Sequence, residues 1–156
     1  MTANLDRTIS RWTRFYFSDG SAMRNIPVNT INGIGLNYPE VEVYAFLDVI
    51  RGVLLDTPDC AIDIQGPFTN EANSAHAVLN AANGVMTPRS LDVQVGIQHA
   101  WESGEPQFGV TATATSGFVV SQYMFDPSTG LYSARFRMKS NSAAAPAWGT
   151  AAEAVS

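Results

Sequence analysis

The chain offers two histidines, His76 and His99, one cysteine, Cys60, and 14 carboxylates from which a catalytic or metal-binding site could be built. A structural zinc site needs four thiolate or imidazole ligands in close pairs, and this spacing provides none. His99 shares one face of an alternating run with Ile97 and Trp101, which marks it as a hydrogen-bonded core or interface histidine. His76 falls on the flank of a helical stretch, a solvated or interfacial place. Cys60 opens the apolar run Cys60-Ala61-Ile62-Asp63-Ile64, where a thiol fills core space and does not attack. The sequence contains no Gly-x-Ser-x-Gly elbow, glycine-rich phosphate loop or His-Glu-x-x-His motif. Ser103-Gly104 and Ser116-Gly117 read as turns. Asp56 and Asp59 near Pro58 form either a carboxylate pair or calcium corner, or solvated loop acids, and loop solvation is the better reading. The expectation is no enzyme, no cofactor and no metal.

Arg135, Arg137 and Lys139 are the remaining chemical feature, spaced i, i+2 and i+4 along one strand face. Two readings stand. One is an inter-subunit or DNA-facing basic stripe; the other is an exposed edge strand guarded by charge against stray pairing. The chain is otherwise poor in cations, since Lys139 is its single lysine and the net charge is −5. Arg7, Arg11, Arg14 and Arg24 stand against Asp19 alone in residues 7–24, so the rest of the chain is more acidic still. Such a body does not grip DNA by neutralising phosphates, although DNA can slide past it.

The elements that must position these groups are strands. Leu91, Val93, Val95, Ile97, His99 and Trp101 alternate with Asp92, Gln94, Gly96, Gln98 and Ala100. Phe118, Val120, Gln122 and Met124 alternate with Val119, Ser121, Tyr123 and Phe125. Tyr132, Ala134, Phe136 and Met138 alternate with Leu131, Ser133, Arg135 and Arg137. Period-two patterning of this kind describes half-buried antiparallel strands. Further strands are expected at residues 12–18, 25–36, 60–65 and 109–117, with a turn at Asp19-Gly20-Ser21 and a bulge or bend at Gly33 and Gly35. A hairpin connection is expected at residues 126–130 and a loop at 101–107. Residues 40–59 read as an extended arm, with a short helix over 46–55 as the competing choice. One helix is expected at residues 70–83, capped by Asn70, with Glu71 in its first turn, Ala72, Ala75, Leu79 and Ala82 on its buried stripe, and Gly84 after its end.

The bulk numbers fit one domain. At 156 residues the chain can bury a substantial core. Apolar residues make up 46% and charged residues 15%, well under the roughly 25% usual in soluble domains. Burial against copies of itself accounts for that low charge; a neutral polar surface is the alternative. No apolar stretch approaches the ~18 residues that span a bilayer, and no signal core stands at the N-terminus. Synthesis in a reducing cytoplasm is expected. The fold class is therefore mainly β: an antiparallel β-sandwich or barrel-like subunit with one helix and an extended arm at about residues 37–59. Residues 1–140 form a single domain with an N-terminal arm, and residues 141–156 form a C-terminal tail.

The order of these segments resembles the tail tube proteins of long-tailed, siphovirus-like bacteriophages. Val41-Glu42-Val43 matches the start of that family's arm, and Ile50-Arg51-Gly52-Val53-Leu54 its continuation. Ile62-Asp63-Ile64-Gln65-Gly66-Pro67-Phe68 matches the strand whose glycine–aromatic exit leads into the helix. The likeness spans roughly residues 12–138, with residues 99–108 and the Ala-Pro-Ala-Trp-Gly tail outside it. It implies a β-sandwich subunit in hexameric rings, stacked into a tube that conducts double-stranded DNA without binding it specifically. The implied partners are further copies of the chain and other tail or head proteins of the virion, with no membrane. The implied location is the virion tail, after synthesis in a host bacterial cytoplasm.

On that resemblance, the polar face of the Cys60 strand or of the Leu91 strand lines the channel. The lumen candidates are Asp63, Gln65, Asp92, Gln94 and Gln98. Arm and terminal segments make the subunit contacts, with Arg11, Trp12, Asp48, Arg51, Arg135, Arg137, Lys139 and Trp148 as candidates. A capsid decoration or cement protein, a head–tail connector and a tail terminator are the alternatives within a virion. A sandwich module that binds sugar or peptide through Trp101, Tyr123 and Trp148 is the alternative outside one.

Overall fold

A computed structural model describes residues 13–150, apart from Tyr44, Phe46, Asp48 and Gln98. Its elements run β1 (Thr13–Ser18), β2 (Met23–Ile26), β3 (Thr30–Asn32), β4 (Glu40–Val43), β5 (Gly52–Leu55), β6 (Ala61–Pro67), α1 (Ala75–Ala82), β7 (Leu91–Val95), β8 (Gln107–Val110), β9 (Phe118–Asp126), β10 (Leu131–Met138) and β11 (Ala147–Gly149). Two sheets carry the body, in the orders β11-β8-β7-β1-β2 and β3-β6-β10-β9, and β4 and β5 form a hairpin by themselves. Every strand pairing is antiparallel. The sheets face each other as an open sandwich and do not close into a barrel.

The core lies where the inward rows of the two sheets meet. Phe15 and Phe17 of β1 pack on Phe136 of β10, with ring centroids 5.1 and 4.8 Å apart, and all three are fully buried. Ile62, Ile64, Leu91, Val93, Phe108, Phe118, Val120 and Tyr132 complete the layer. Burying such a side chain stabilises the fold by about 1.5–3 kcal/mol before conformational entropy is set against it. Tyr132 keeps its hydroxyl satisfied by donating to the Pro27 carbonyl oxygen at 2.6 Å.

Strand alternation continues where expected until a local device interrupts it. In β9, Gln122 pairs with Arg135 while Val120 pairs with Phe136, so Ser121 is an extra residue. This bulge reverses the alternation beyond it. Tyr123 and Phe125 move to the inward row opposite Ala134 and Tyr132, whereas simple period two puts them opposite to Phe118 and Val120. Tyr123 then meets Tyr132 at 5.9 Å between ring centroids.

Expected residues 25–36 divide at Pro27, which has no N–H to donate to a ladder. β2 stays in one sheet and β3 crosses to the other. Gly33, at φ +85°, permits the bend because a Cβ there would collide with the Ala61 carbonyl. The strand expected at 109–117 stops at Val110, and Ser116 anchors the loop that follows. Its buried hydroxyl accepts the amide N–H groups of Ala143 and Ala144 at 2.8 and 3.3 Å. Part of the expected tail is thus built into the body, and β11 adds a strand beside β8.

The helix is shorter than expected. Asn73 sits at φ +61°, so the chain from Asn70 makes a turn and α1 starts after Ser74. Neither Asn70 nor a side-chain cap bond from Ser74 opens it; the Ser74 hydroxyl instead lies 2.7 Å from that of Thr69. Its buried stripe is Ala75, Val78, Leu79 and Ala82, while Ala72 is exposed. Gly84 follows at φ +76° and donates its N–H to Val120 of β9.

The strand expected through residue 101 ends at Val95. Gly96 packs so closely on the His99 carbonyl and the Trp101 nitrogen that no Cβ fits, and the chain folds back. Glu105 holds this loop: its two carboxylate oxygens accept the N–H groups of Ile97 at 3.0 Å and Glu102 at 2.8 Å. His99 therefore stands in an exposed loop and is not a core residue. Its pKa is raised chiefly by the bond to the Ala100 carbonyl and then by the Glu105 and Glu102 carboxylates.

Two outcomes follow for stability. Phe136→Ala is expected to cost about 3–5 kcal/mol in urea unfolding, because three rings lose their shared contact. Asp19 accepts the Ser21 and Ala22 N–H groups and pairs with Arg24 at 2.8 Å. The Ala22 N–H, followed by Arg24, holds its pKa down at about 2. Its stabilising effect is therefore complete above pH ~4 and is lost as pH falls through about 2. Asp19→Asn should unfold more easily than the wild type at neutral pH, with the difference shrinking across that acid window in thermal melts.

Candidate assembly surfaces

The first surface is the arm. β4 and β5 pair Glu40 with Leu55, Val41 with Leu54, Glu42 with Val53 and Val43 with Gly52, so residues 40–43 and 52–55 are extended and the competing helix is not seen at 52–55. The base of the hairpin is tied by reciprocal backbone bonds between Asn37 and Asp59 at 2.8 and 2.7 Å, and by Asp56 N–H to Pro39 O at 2.8 Å. Beyond that base every strand residue is exposed, including Leu54 at 61% and Leu55 at 63%. Leu47 and Ile50 between the strands are exposed at 89% and 83%. A two-stranded ribbon is marginal alone in water, and an exposed apolar one is a candidate contact surface. Arg51 pairs with Glu42 at 3.2 Å on this ribbon, at an exposed position.

The second surface is the outward face of the four-stranded sheet. Residues paired directly across strands point to one side, which gives two polar rows. One runs Asn32, Asp63, Arg135, Gln122; the other runs Thr30, Gln65, Ser133, Met124. Arg135 donates twice to Asp63, at 2.7 and 3.1 Å, and Arg137 donates to Asp59 at 2.7 Å. The guanidinium of Arg135 holds the Asp63 carboxyl below the usual carboxylate range. β10 lies between β6 and β9, so the edge-strand reading of its basic residues fails. The stripe itself is not free either, since both arginines are neutralised by acids of their own chain. Lys139 stands just past the end of β10.

The candidate lumen residues separate accordingly. Asp63 and Gln65 lie on this accessible face. Asp92 and Gln94 are buried at 1% and 8% exposure and do not face solvent. The reason is position: β7 is an inner strand of the five-stranded sheet and is covered on both sides. Gln98, Arg11, Trp12 and Asp48 lie outside the described residues. Trp148 is on β11, half exposed, with its ring 5.2 Å from that of buried Phe108.

A third cluster was not read from the sequence. His76 of α1 contacts the Tyr123 hydroxyl through Nδ1 at 3.0 Å, and Phe68 stacks between His76 and Phe125 at 4.9 and 4.7 Å. Only the β9 bulge brings Tyr123 and Phe125 to this side, and Ser121 carries no signal of it. Cys60 is buried, and desolvation, aided by Asp59, pushes its thiol up to about 11. It is core filling. Among the described residues no group of three His, Cys, Asp or Glu side chains could hold a metal ion. Asp59 is engaged with Arg137, and among the described residues no helix is long and apolar enough to cross a membrane.

No family model and no curated protein matches this sequence. Solved structures do match in fold. A chain of the sheath–tube complex of the PVC extracellular contractile injection system, in its extended state, superposes with TM-score 0.62 at 8% identity over 96% of each chain. A chain of the anti-feeding prophage tube-terminating cap gives 0.59 at 12% identity, covering 97% of this chain and 100% of that one. The PVC sheath/tube terminator gives 0.57 at 11% identity, covering 87% and 93%. The fold is thus one found in tail assemblies, and the neighbours belong to contractile injection systems.

If the arm is an uncovered contact surface, it contributes little to the single chain. Leu54→Ser with Leu55→Ser should leave the urea unfolding free energy within about 0.5 kcal/mol of the wild type.

Proposed function

We propose that this chain is a tail tube subunit of a bacteriophage-like particle, a structural protein without enzymatic activity. Copies lie edge to edge in rings, hexameric by the resemblance to long-tailed phages, and the rings stack into a tube that lets double-stranded DNA pass. The observation that carries this reading is the near full-length likeness to a chain of a sheath–tube complex. The exposed apolar hairpin supports it, because stacked rings give that surface a cover. So do the sheet edges at β2, β11 and β3, and the stretch of β9 beyond Val120, which a ring would pair. The partners are other copies, then further tail or head proteins. The particle is made in a bacterial cytoplasm and resides in the tail.

A single-ring role, as tube terminator or cap, is the second reading. It is favoured by the likeness to the anti-feeding prophage cap over the full length of that chain. Negative-stain electron microscopy of the purified protein over a range of concentrations separates the two. Tubes built of stacked rings are expected; single rings that never stack favour the terminator. A monomer at every concentration would refute both. Leu54→Ser with Leu55→Ser should abolish stacking while leaving the subunit folded.

A further inference from the structure

We infer that the outward face of the four-stranded sheet is the bore of the proposed tube, and that its charges cancel within each subunit, so that the bore neither traps nor repels a polyanion. This rests on the tube reading. The choice of face follows from burial. On the five-stranded sheet, Asp92 and Gln94 are covered on the side away from the core, so the middle of that side presents no solvated polar row. On the four-stranded sheet, Asn32, Gln65, Arg135 and Gln122 are exposed across all four strands, and Met124 is the single apolar member of the two rows.

The charge pattern on that face is balanced. Arg135 is matched by Asp63 through two hydrogen bonds, and Arg137 by Asp59 through one. Asp126 and Lys139 stand at opposite ends of the β9–β10 pair, and the Asp126 carboxylate is occupied by the Ser128 hydroxyl and N–H. Unpaired arginines repeated in every copy would grip phosphates and release counterions, which slows passage most at low salt. Unpaired acids would raise a barrier instead. Pairing inside the subunit, bidentate at Arg135 and single at Arg137, removes both and leaves a neutral, hydrogen-bonding wall. The cargo class this suits is a stiff charged polymer such as duplex DNA that must move without sticking.

The test uses assembled rings or tubes and linear duplex DNA, with binding read by co-sedimentation across a salt series. Wild-type particles should retain no DNA even at low salt. Asp59→Asn with Asp63→Asn should retain it, with retention falling steeply as salt rises. Adding Arg135→Gln and Arg137→Gln to that variant should abolish retention again, which excludes misfolding as its cause. Independently, a thiol introduced by Gln65→Cys should react with a small maleimide in assembled tubes but not with one carrying a bulky polymer, whereas Asn80→Cys on α1 should react with both. Equal DNA retention by wild type and the double variant, or equal labelling of Gln65→Cys by both reagents, would overturn the inference while the tube reading stood. Failure to form rings would remove both, and micrographs show that separately.

Discussion

The contact of β1 with β10 through Phe15, Phe17 and Phe136 is the interaction on which the molecule depends. It joins an inner strand of one sheet to an inner strand of the other, so both sheets are held at their middles. The crossing at Pro27, the bend at Gly33 and the Tyr132 bond to the Pro27 carbonyl all serve to bring the second sheet over this seam. Alanines on α1 then allow the helix to sit close over β9. A core of this kind makes a subunit that can fold before it meets a neighbour.

What the core does not cover is equally informative. The hairpin of β4 and β5 leaves Val41, Val43, Leu54 and Leu55 about half in water, so covering what remains could contribute roughly half of the 1.5–3 kcal/mol that full burial of such a side chain supplies. Repeated in every copy, that gain is enough to drive association against the entropy lost on ordering. The outward face of the four-stranded sheet is the opposite case. It is polar, its ions are paired, and exposed pairs of this type add little to stability. One surface gains from being covered and the other loses nothing by staying wet, which is the division a hollow assembly requires.

Much of the fold was legible because strand period two depends only on which side chains are apolar. β6, β9 and β10 stand close to where alternation put them, β1 where its aromatic and β-branched residues put it, and Gly33 marked a real bend; β7 begins where expected but stops at Val95. Errors arose where one residue changed the geometry without changing the pattern. Ser121 reverses β9, Asn73 delays the helix, and Gly96 turns the chain while Ile97, His99 and Trp101 continue an alternation that no longer means strand. Asp92 and Gln94 looked like a solvent face because polar residues usually mark one; β7 is an inner strand covered on both sides. The pairing of Arg135 with Asp63 joins residues 72 apart in sequence, and spacing along a strand holds no trace of it.

Hydrogen exchange at the β4 and β5 amides, read in dilute protein and again in the assembled particle, tests most directly that the subunit is built to be covered by its copies. Exchange there should be fast in the dilute chain and slow by orders of magnitude on assembly, while the β1 and β10 amides stay protected in both. Fast exchange at β4 and β5 in the assembled particle would contradict the assignment of the arm as the contact between subunits.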